Sequence, residues 1–176
     1  MDSHHDMVMR RRAELSARGV PPRRYFAYST LLDRAAFEEW RAQHGYGSFH
    51  LPEGLVAEAL DVDLAFDFPS RWWGGRVAGL IDRPGTTVFG RLFNVSGVDW
   101  PIVQHKEGVI TGMCIERTVH VRAGGEVVEA TTFTTHPERA SFDGSVSPRF
   151  VEALVRGARA SALPEGYIER LLRAVK

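Results

Sequence analysis

The sequence predicts an α+β fold in a single domain. Two patterns carry that prediction. The middle of the chain, from Gly54 to Thr135, holds a series of runs in which apolar residues alternate with polar ones, the period of a half-buried strand. Near the C-terminus the spacing changes: Phe150, Val151, Leu154, Val155 and Ala158 form a stripe with helical period. A third observation, a chain of 176 residues with 44% hydrophobic and 25% charged residues, suits one domain with a real core.

Taken in order, residues 1–24 read as an N-terminal extension and 25–176 as the domain. Asp6 to Ala17 has the makings of a short polar helix, ended by Gly19, Pro21 and Pro22; so polar a tail reads as expendable. Its His4-His5 pair has no third residue at a metal-ligand spacing, so no metal is expected. Tyr25-Phe26-Ala27-Tyr28 is a short aromatic strand. Asp33 is suited to cap a helix over Arg34 to His44, with Ala36, Phe37 and Trp40 on one face, and Gly45 and Gly47 stop it. The succession of strand, Ser29-Thr30 and helix start gathers free backbone N–H groups, a natural cradle for a carboxylate or carbonyl oxygen and equally an ordinary strand-to-helix turn.

Leu55, Ala57 and Ala59 alternate and, after a shift, so do Val62, Leu64, Phe66 and Phe68, which predicts a strand with a bulge or two short strands. Val77 to Ile81 and Val88 to Val95 read as separate strands joined through Arg83-Pro84-Gly85. Gly79 and Gly90 within them suggest close backbone approach or bends, as in a small barrel. Val98 to Lys106 reads as a helical turn. Val109 to Val121 and Val127 to Thr135 form a hairpin around Ala123-Gly124-Gly125-Glu126. Pro148 to Ala162 and Tyr167 to Val175 are the closing helices.

The bulk properties exclude several classes. Lysine plus arginine and aspartate plus glutamate each number 22, giving a formal charge of zero and no basic face for nucleic acid. No apolar run approaches the ~18 residues that span a bilayer, and Met1 to Arg12 has no apolar segment of a signal peptide. Cys114 is the only cysteine, so a reducing compartment, the cytoplasm, is the simplest home. No nucleophile elbow, phosphate loop, zinc-binding His-Glu-x-x-His or Cys-x-x-Cys occurs. Cys114 reads as a small buried thiol and His120 as a solvated or hydrogen-bonded strand residue.

The remaining candidate for chemistry is Glu107, between Lys106 and Gly108 at what reads as the mouth of a strand. There it suits either a surface loop or a cavity lined by the sheet. In an apolar cavity, desolvation raises a carboxyl pKa toward the neutral range in which a general acid/base works best.

Several of these pieces, in this order, resemble the gamma-glutamylcyclotransferase superfamily. Tyr25-Phe26-Ala27-Tyr28 is similar to the strand leading to its Tyr-Gly-Ser-Asn loop. Trp73-Gly74-Gly75 is similar to its aromatic-Gly-Gly segment, and Val88-Phe89-Gly90 to its Val-Trp-Gly strand. Glu107-Gly108-Val109 followed by Gly112-Met113 resembles its catalytic glutamate segment, and Ser147-Pro148-Arg149-Phe150 through Gly166-Tyr167 its C-terminal helices. The resemblance spans Tyr25 to about Val175. It implies a small mixed β-barrel or roll flanked by helices with a central cavity, and cleavage of a small-molecule γ-glutamyl amide by internal cyclisation to 5-oxoproline and an amine. No metal or organic cofactor is implied. Glu107 would be the general acid/base and the turn after Tyr28 would hold the glutamyl portion.

Departures from the family pattern touch the implied binding residues Tyr25, Phe26, Ala27, Tyr28, Ser29, Thr30, Cys114, Phe133 and Phe150. Either Ser29, Thr30 and Leu31 replace the loop's glycine, serine and asparagine, or the glycine is deleted. Cys114, Phe133 and Phe150 stand where cavity tyrosines are expected, which implies an altered substrate. A non-catalytic binder on the same barrel is the alternative, and the oligomeric state, monomer or homodimer, stays open.

Overall fold

Strand β1 (Arg23–Ala27) is five residues long, and its last three residues, Tyr25, Phe26 and Ala27, are buried. Two long strands follow the first helices: β2 (Leu55–Ser70) and β3 (Gly75–Val95). The hairpin strands β4 (Cys114–Ala123) and β5 (Glu126–Thr135) turn at Gly124 and Gly125. These strands close into a barrel in the order β1-β3-β2-β4-β5, with β1 antiparallel to β3 and parallel to β5 at Tyr25↔Thr131. The computed structural model describes residues 3–176; the first two residues of the extension expected over 1–24 lie outside them.

Two strand readings need correction. The runs over 77–81 and 88–95 belong to one strand, β3. Its Arg83-Pro84-Gly85 segment is absorbed in a bulge facing Asp61, where the β2–β3 register shifts between Leu60 and Val62. The proline falls where the ladder is interrupted, and so removes no needed N–H. In β2 the expected shift at Asp61 is present, but a second lies between Ala65 and Phe68. Ala65 and Asp67 are buried, while Leu64, Phe66 and Phe68 are only partly covered; Leu55 at the strand start is exposed. Gly79 and Gly90 do mark close approach. A Cβ at Gly90 would lie 2.1 Å from the Ala27 carbonyl oxygen, and one at Gly79 would lie 2.6 Å from Thr135 Oγ1.

Helices cover the barrel. Asp33 caps α2 (Arg34–Gln43), accepting from the Ala36 N–H at 3.4 Å and from Arg156 at 2.7 Å. α3 (Trp100–Lys106) enters through Pro101. Ser147 caps α4 (Pro148–Ala160), whose Phe150, Val151, Leu154, Val155 and Ala158 are all buried, and α5 (Glu165–Arg173) closes the chain. Among the described residues no helix is long and apolar enough to cross a membrane.

The extension forms helix α1 (Ser3–Arg18), and it is docked on α3. Val8 is buried, Arg12 pairs with Asp99 at 2.6 Å, and the His5 ring packs on Tyr46. Its polar composition conceals one fully covered apolar residue. Deleting residues 1–18 uncovers the surface beneath Val8, at about 2 kcal/mol or more. That corresponds to a fall in Tm of about 4–8 °C for a chain this long. An unchanged thermal melt would restore the sequence's reading of an expendable tail.

Candidate active site

The acid singled out in the sequence sits at a helix end. Glu107 is the C-cap of α3, its N–H bonded to the Val103 carbonyl at 2.9 Å. Gly108 follows with φ +80°, which a residue with a Cβ rarely adopts. Its N–H bonds His105 O at 3.2 Å and the Val109 N–H bonds Gln104 O at 3.0 Å, the paired bonds of a glycine-ended helix. Val109 to Met113 is a turn and β4 starts at Cys114, which corrects the expected strand over 109–121. Apolar residues continued across the turn, and their alternation imitated a strand. The glycine is the local reason that the acid's neighbour reverses direction, with Met113 and Cys114 N–H groups both returning to Gly108 O, at 2.9 and 3.2 Å.

Glu107 meets β1. The Tyr25 hydroxyl donates a short hydrogen bond to Oε1, while Oε2 has no protein partner among the described residues. Burial first, and then the adjacent Glu107 carboxylate and its hydrogen bond, push the Tyr25 phenol well above its ordinary range, so it remains the donor. Aromatic rings wall this pair: Phe93, Trp100 and Phe133 lie with centroids 6.2, 5.9 and 5.6 Å from Tyr25. Tyr28 is buried too and donates to the Phe133 carbonyl at 2.6 Å; burial, then Cys114, Glu107 and Asp67, raise its phenol. The Cys114 thiol is pushed up to about 12 by burial and by the same two carboxylates, which agrees with a packed rather than reactive sulfur.

Of the other residues inferred from the sequence, Phe133 lies against Tyr25 and Trp100, within this group. Phe150 belongs to a different ring cluster, with Phe66 and Trp73 at 6.4 and 5.5 Å. Phe26 and Ala27 are buried strand residues; Phe26 stacks on Tyr28, and its carbonyl accepts from Thr132 at 2.7 Å. Ser29 and Thr30 start a single 3-10 turn, Thr30–Leu32, and accept from the Leu32 and Asp33 N–H groups. The N–H groups of Ser29, Thr30 and Leu31 have no backbone partner among the described residues.

Two acids were missed. Glu116 Oε1 accepts from Trp100 Nε1 and Gln104 Nε2, each at 2.7 Å, and its Oε2 accepts from Arg23 at 3.1 Å. It ties α3 to β4 and β1 and so sets where Glu107 can stand. A carboxylate inside the period of a strand gave no signal of this. Asp67, 8% exposed, accepts from Thr135 Oγ1 at 2.7 Å. The unforeseen second bulge in β2 hid it, since the simple alternation points Asp67 outward.

A cavity of about 500 Å³ lies beside the site, lined by Leu31, Phe37, His50, Arg91, Phe93 and Ser161 among others. Glu107 and Tyr28 are not in its walls, so geometry at the Tyr25–Glu107 pair, rather than cavity size, identifies the candidate site; Leu31 and Phe93 connect the two regions. Among the described residues, no cluster of three or more histidine, cysteine or acidic side chains is arranged to hold a metal.

Comparison with known proteins points to one group. A model of the AIG2-like family matches residues 87–171, from β3 through Glu107 to α5. The chain is 27% identical over 149 residues to a human protein named gamma-glutamylcyclotransferase, covering 84% of this chain and 76% of that one. It is 30% identical over 123 residues to the mouse protein of the same name, covering 66% of this chain and 63% of that one. A solved structure of a gamma-glutamyl cyclotransferase shares the fold, with a TM-score of 0.70 at 22% identity and coverage of 88% of both chains.

Two outcomes follow from this geometry. Burial pushes the Glu116 pKa up, but the hydrogen bonds from Trp100 and Gln104 and the Arg23 charge outweigh it, and the folded value is lowered. Its contribution to stability is therefore fully present above the unfolded carboxyl value of about 4.3 and is lost as pH falls through the lower folded value. Thermal melts from pH 6 down to pH 3 should show wild type losing more stability than Glu116→Gln over the acidic part; parallel curves would contradict the network. For Cys114, alkylation by iodoacetamide at pH 8 should be at least about a hundredfold slower in the native protein than in the urea-unfolded chain. Equal rates would contradict the buried thiol.

Proposed function

Because the chain belongs to the gamma-glutamylcyclotransferase-like superfamily, we infer that it cleaves a γ-glutamyl amide by internal cyclisation, with Glu107 as the proton carrier. The substrate's α-amine nitrogen bonds to its own γ-carbonyl carbon, the C–N bond to the leaving amine breaks, and 5-oxoproline and a free amine result. Nucleophile and electrophile are tethered, so orientation supplies much of the acceleration. What remains is a proton to be removed from the attacking ammonium and returned to the departing nitrogen. One carboxylate can do both in turn. No oxidant, metal or organic cofactor enters the balance.

The single observation that carries this reading is the Tyr25–Glu107 pair. Tyr25 fixes one carboxylate oxygen and leaves Oε2 without a partner among the described residues, available to a substrate ammonium. The unpartnered N–H groups of Ser29 to Leu31 support an anchor for the glutamyl carboxylate. The family's loop glycine is absent here, and Ser29, with φ −114°, has a backbone conformation that does not call for one. Tyr25, Tyr28, Phe133 and Cys114 form the walls in this reading, with Phe150 one ring cluster away. A non-catalytic binder on the same barrel would leave the paired acid without a purpose.

Glu107→Gln keeps the size and one hydrogen-bond acceptor but carries no exchangeable proton near neutral pH. Turnover of γ-glutamyl amides, followed as 5-oxoproline by mass spectrometry, should fall about 10²–10⁴-fold with the thermal melt retained. A folded Glu107→Gln protein that still forms 5-oxoproline at the wild-type rate would remove Glu107 from the mechanism.

A further inference from the structure

We propose that Asp67 is a specificity determinant of this site, selecting γ-glutamyl conjugates whose leaving amine carries a second, positively charged group. This rests on the reading of Glu107 above and extends it to the class of leaving group.

Asp67 lies in the register shift between Ala65 and Phe68 and is 8% exposed. Carboxylates so covered are ordinarily paired with a cation. Here the hydrogen bond to its side chain comes from a neutral group, Thr135 Oγ1, at 2.7 Å to Oδ1, and no lysine or arginine forms an ion pair with it among the described residues. Arg76, on the neighbouring strand, gives its guanidinium to the carbonyl oxygens of Phe66 and Gly144. Among the described residues, Oδ2 has no protein partner.

Contacts connect Asp67 to the reacting acid. Thr135 is the ladder partner of Cys114, and the Cys114 N–H bonds the carbonyl of Gly108, the residue after Glu107. Glu107, Cys114, Thr135 and Asp67 thus form one continuous line across the barrel end, with Tyr28 beside it. Glycine at position 79 keeps the Asp67 end open: a Cβ there would stand 2.6 Å from Thr135 Oγ1 and 3.0 Å from Asp67 Oδ1. Both carboxylates, and no cation, act on the Cys114 thiol between them.

A site with two carboxylates sorts its ligands by charge. The glutamyl α-ammonium answers Glu107, which takes its proton. Asp67 then needs a different cation, and the distal end of the leaving amine is the part of the substrate that remains. An amino acid leaving group would bring its own carboxylate into a site already carrying two, whereas a diamine brings an ammonium. The class is therefore the mono-γ-glutamyl conjugate of an alkyl diamine or a similar basic amine.

The test compares three probes on the full chain: mono-γ-glutamyl putrescine (cationic), γ-glutamyl butylamide (its neutral counterpart) and γ-glutamyl alanine (anionic). Wild type should show kcat/KM for the putrescine conjugate about tenfold or more above the butylamide, with the alanine conjugate lowest. In Asp67→Asn the cation-to-neutral ratio should fall about tenfold, through KM rather than kcat, and Thr135→Val should move it the same way. A wild-type enzyme that cleaves the neutral amide as well as the cationic one overturns the proposal, as does an unchanged ratio in a folded Asp67→Asn. If Asp67→Asn does not fold, the wild-type ratio decides. Calorimetry on Glu107→Gln separates the two readings. Tighter binding of the putrescine conjugate than of the butylamide upholds the role of Asp67 even if wild type makes no 5-oxoproline, which would sink the cyclotransferase reading alone. Equal or absent binding of the two sinks this one.

Discussion

The barrel depends on how its shortest strand closes it. β1 has a full antiparallel ladder to β3 but meets β5 at the single pair Tyr25↔Thr131. A seam with so little ladder needs other bonds, since unpaired backbone groups inside a barrel are costly. Side chains supply them: Thr132 Oγ1 donates to Phe26 O, Tyr28 donates to Phe133 O, and Arg23 reaches Thr131 Oγ1 at 3.3 Å. The residues of this seam are also those of the candidate site. Closing the fold and building the site are one arrangement, and a change at Tyr28 acts on both.

The second constraint is the end of α3. A helix that stops at residue 107 delivers its last side chain to the barrel end, and the positive φ of Gly108 makes the stop sharp. The helix is held along its length by different partners. Trp100 and Gln104 are bound to Glu116, Asp99 to Arg12 of α1, and His105 to the Tyr46 hydroxyl at 2.8 Å. Arg23 lies over the Trp100 ring, its guanidinium carbon 4.1 Å from the ring centre. Position at an acid/base is worth more than strength of any one contact, because small displacements change proton-transfer geometry steeply. The extension therefore bears on the candidate site through α3, the helix on which it is docked.

What could be read in the sequence was what short-range chemistry dictates. Asp33 as a helix cap, the Gly124-Gly125 hairpin and the apolar stripe of α4 depend on neighbours a few residues away, and each stands as expected. Glu107 could be singled out from its context, but its place could not: a turn with apolar Val109, Ile110 and Met113 has the same alternation as a strand. Asp67 was hidden for a related reason. Side-chain direction in a strand has period two, so one unseen bulge exchanges the inner and outer faces beyond it. Val8 and Glu116 were invisible because what covers them lies far off in the chain.

Proton bookkeeping narrows what the assembled site can do. Tyr25, Tyr28 and Cys114 are all displaced upward, each first by burial and then by neighbouring negative charge. They keep their protons near neutral pH, and serve as donors or as walls. Two carboxylates, Glu107 and Asp67, stand among them. They differ in their surroundings: Glu107 has one oxygen fixed by a phenol inside an aromatic wall, and Asp67 is oriented by a threonine hydroxyl at the far end of the line. The phenyl ring of Phe133 fits this division. A phenol there would offer a further donor to the Glu107 carboxylate, while the phenyl ring packs against Tyr25 and offers none.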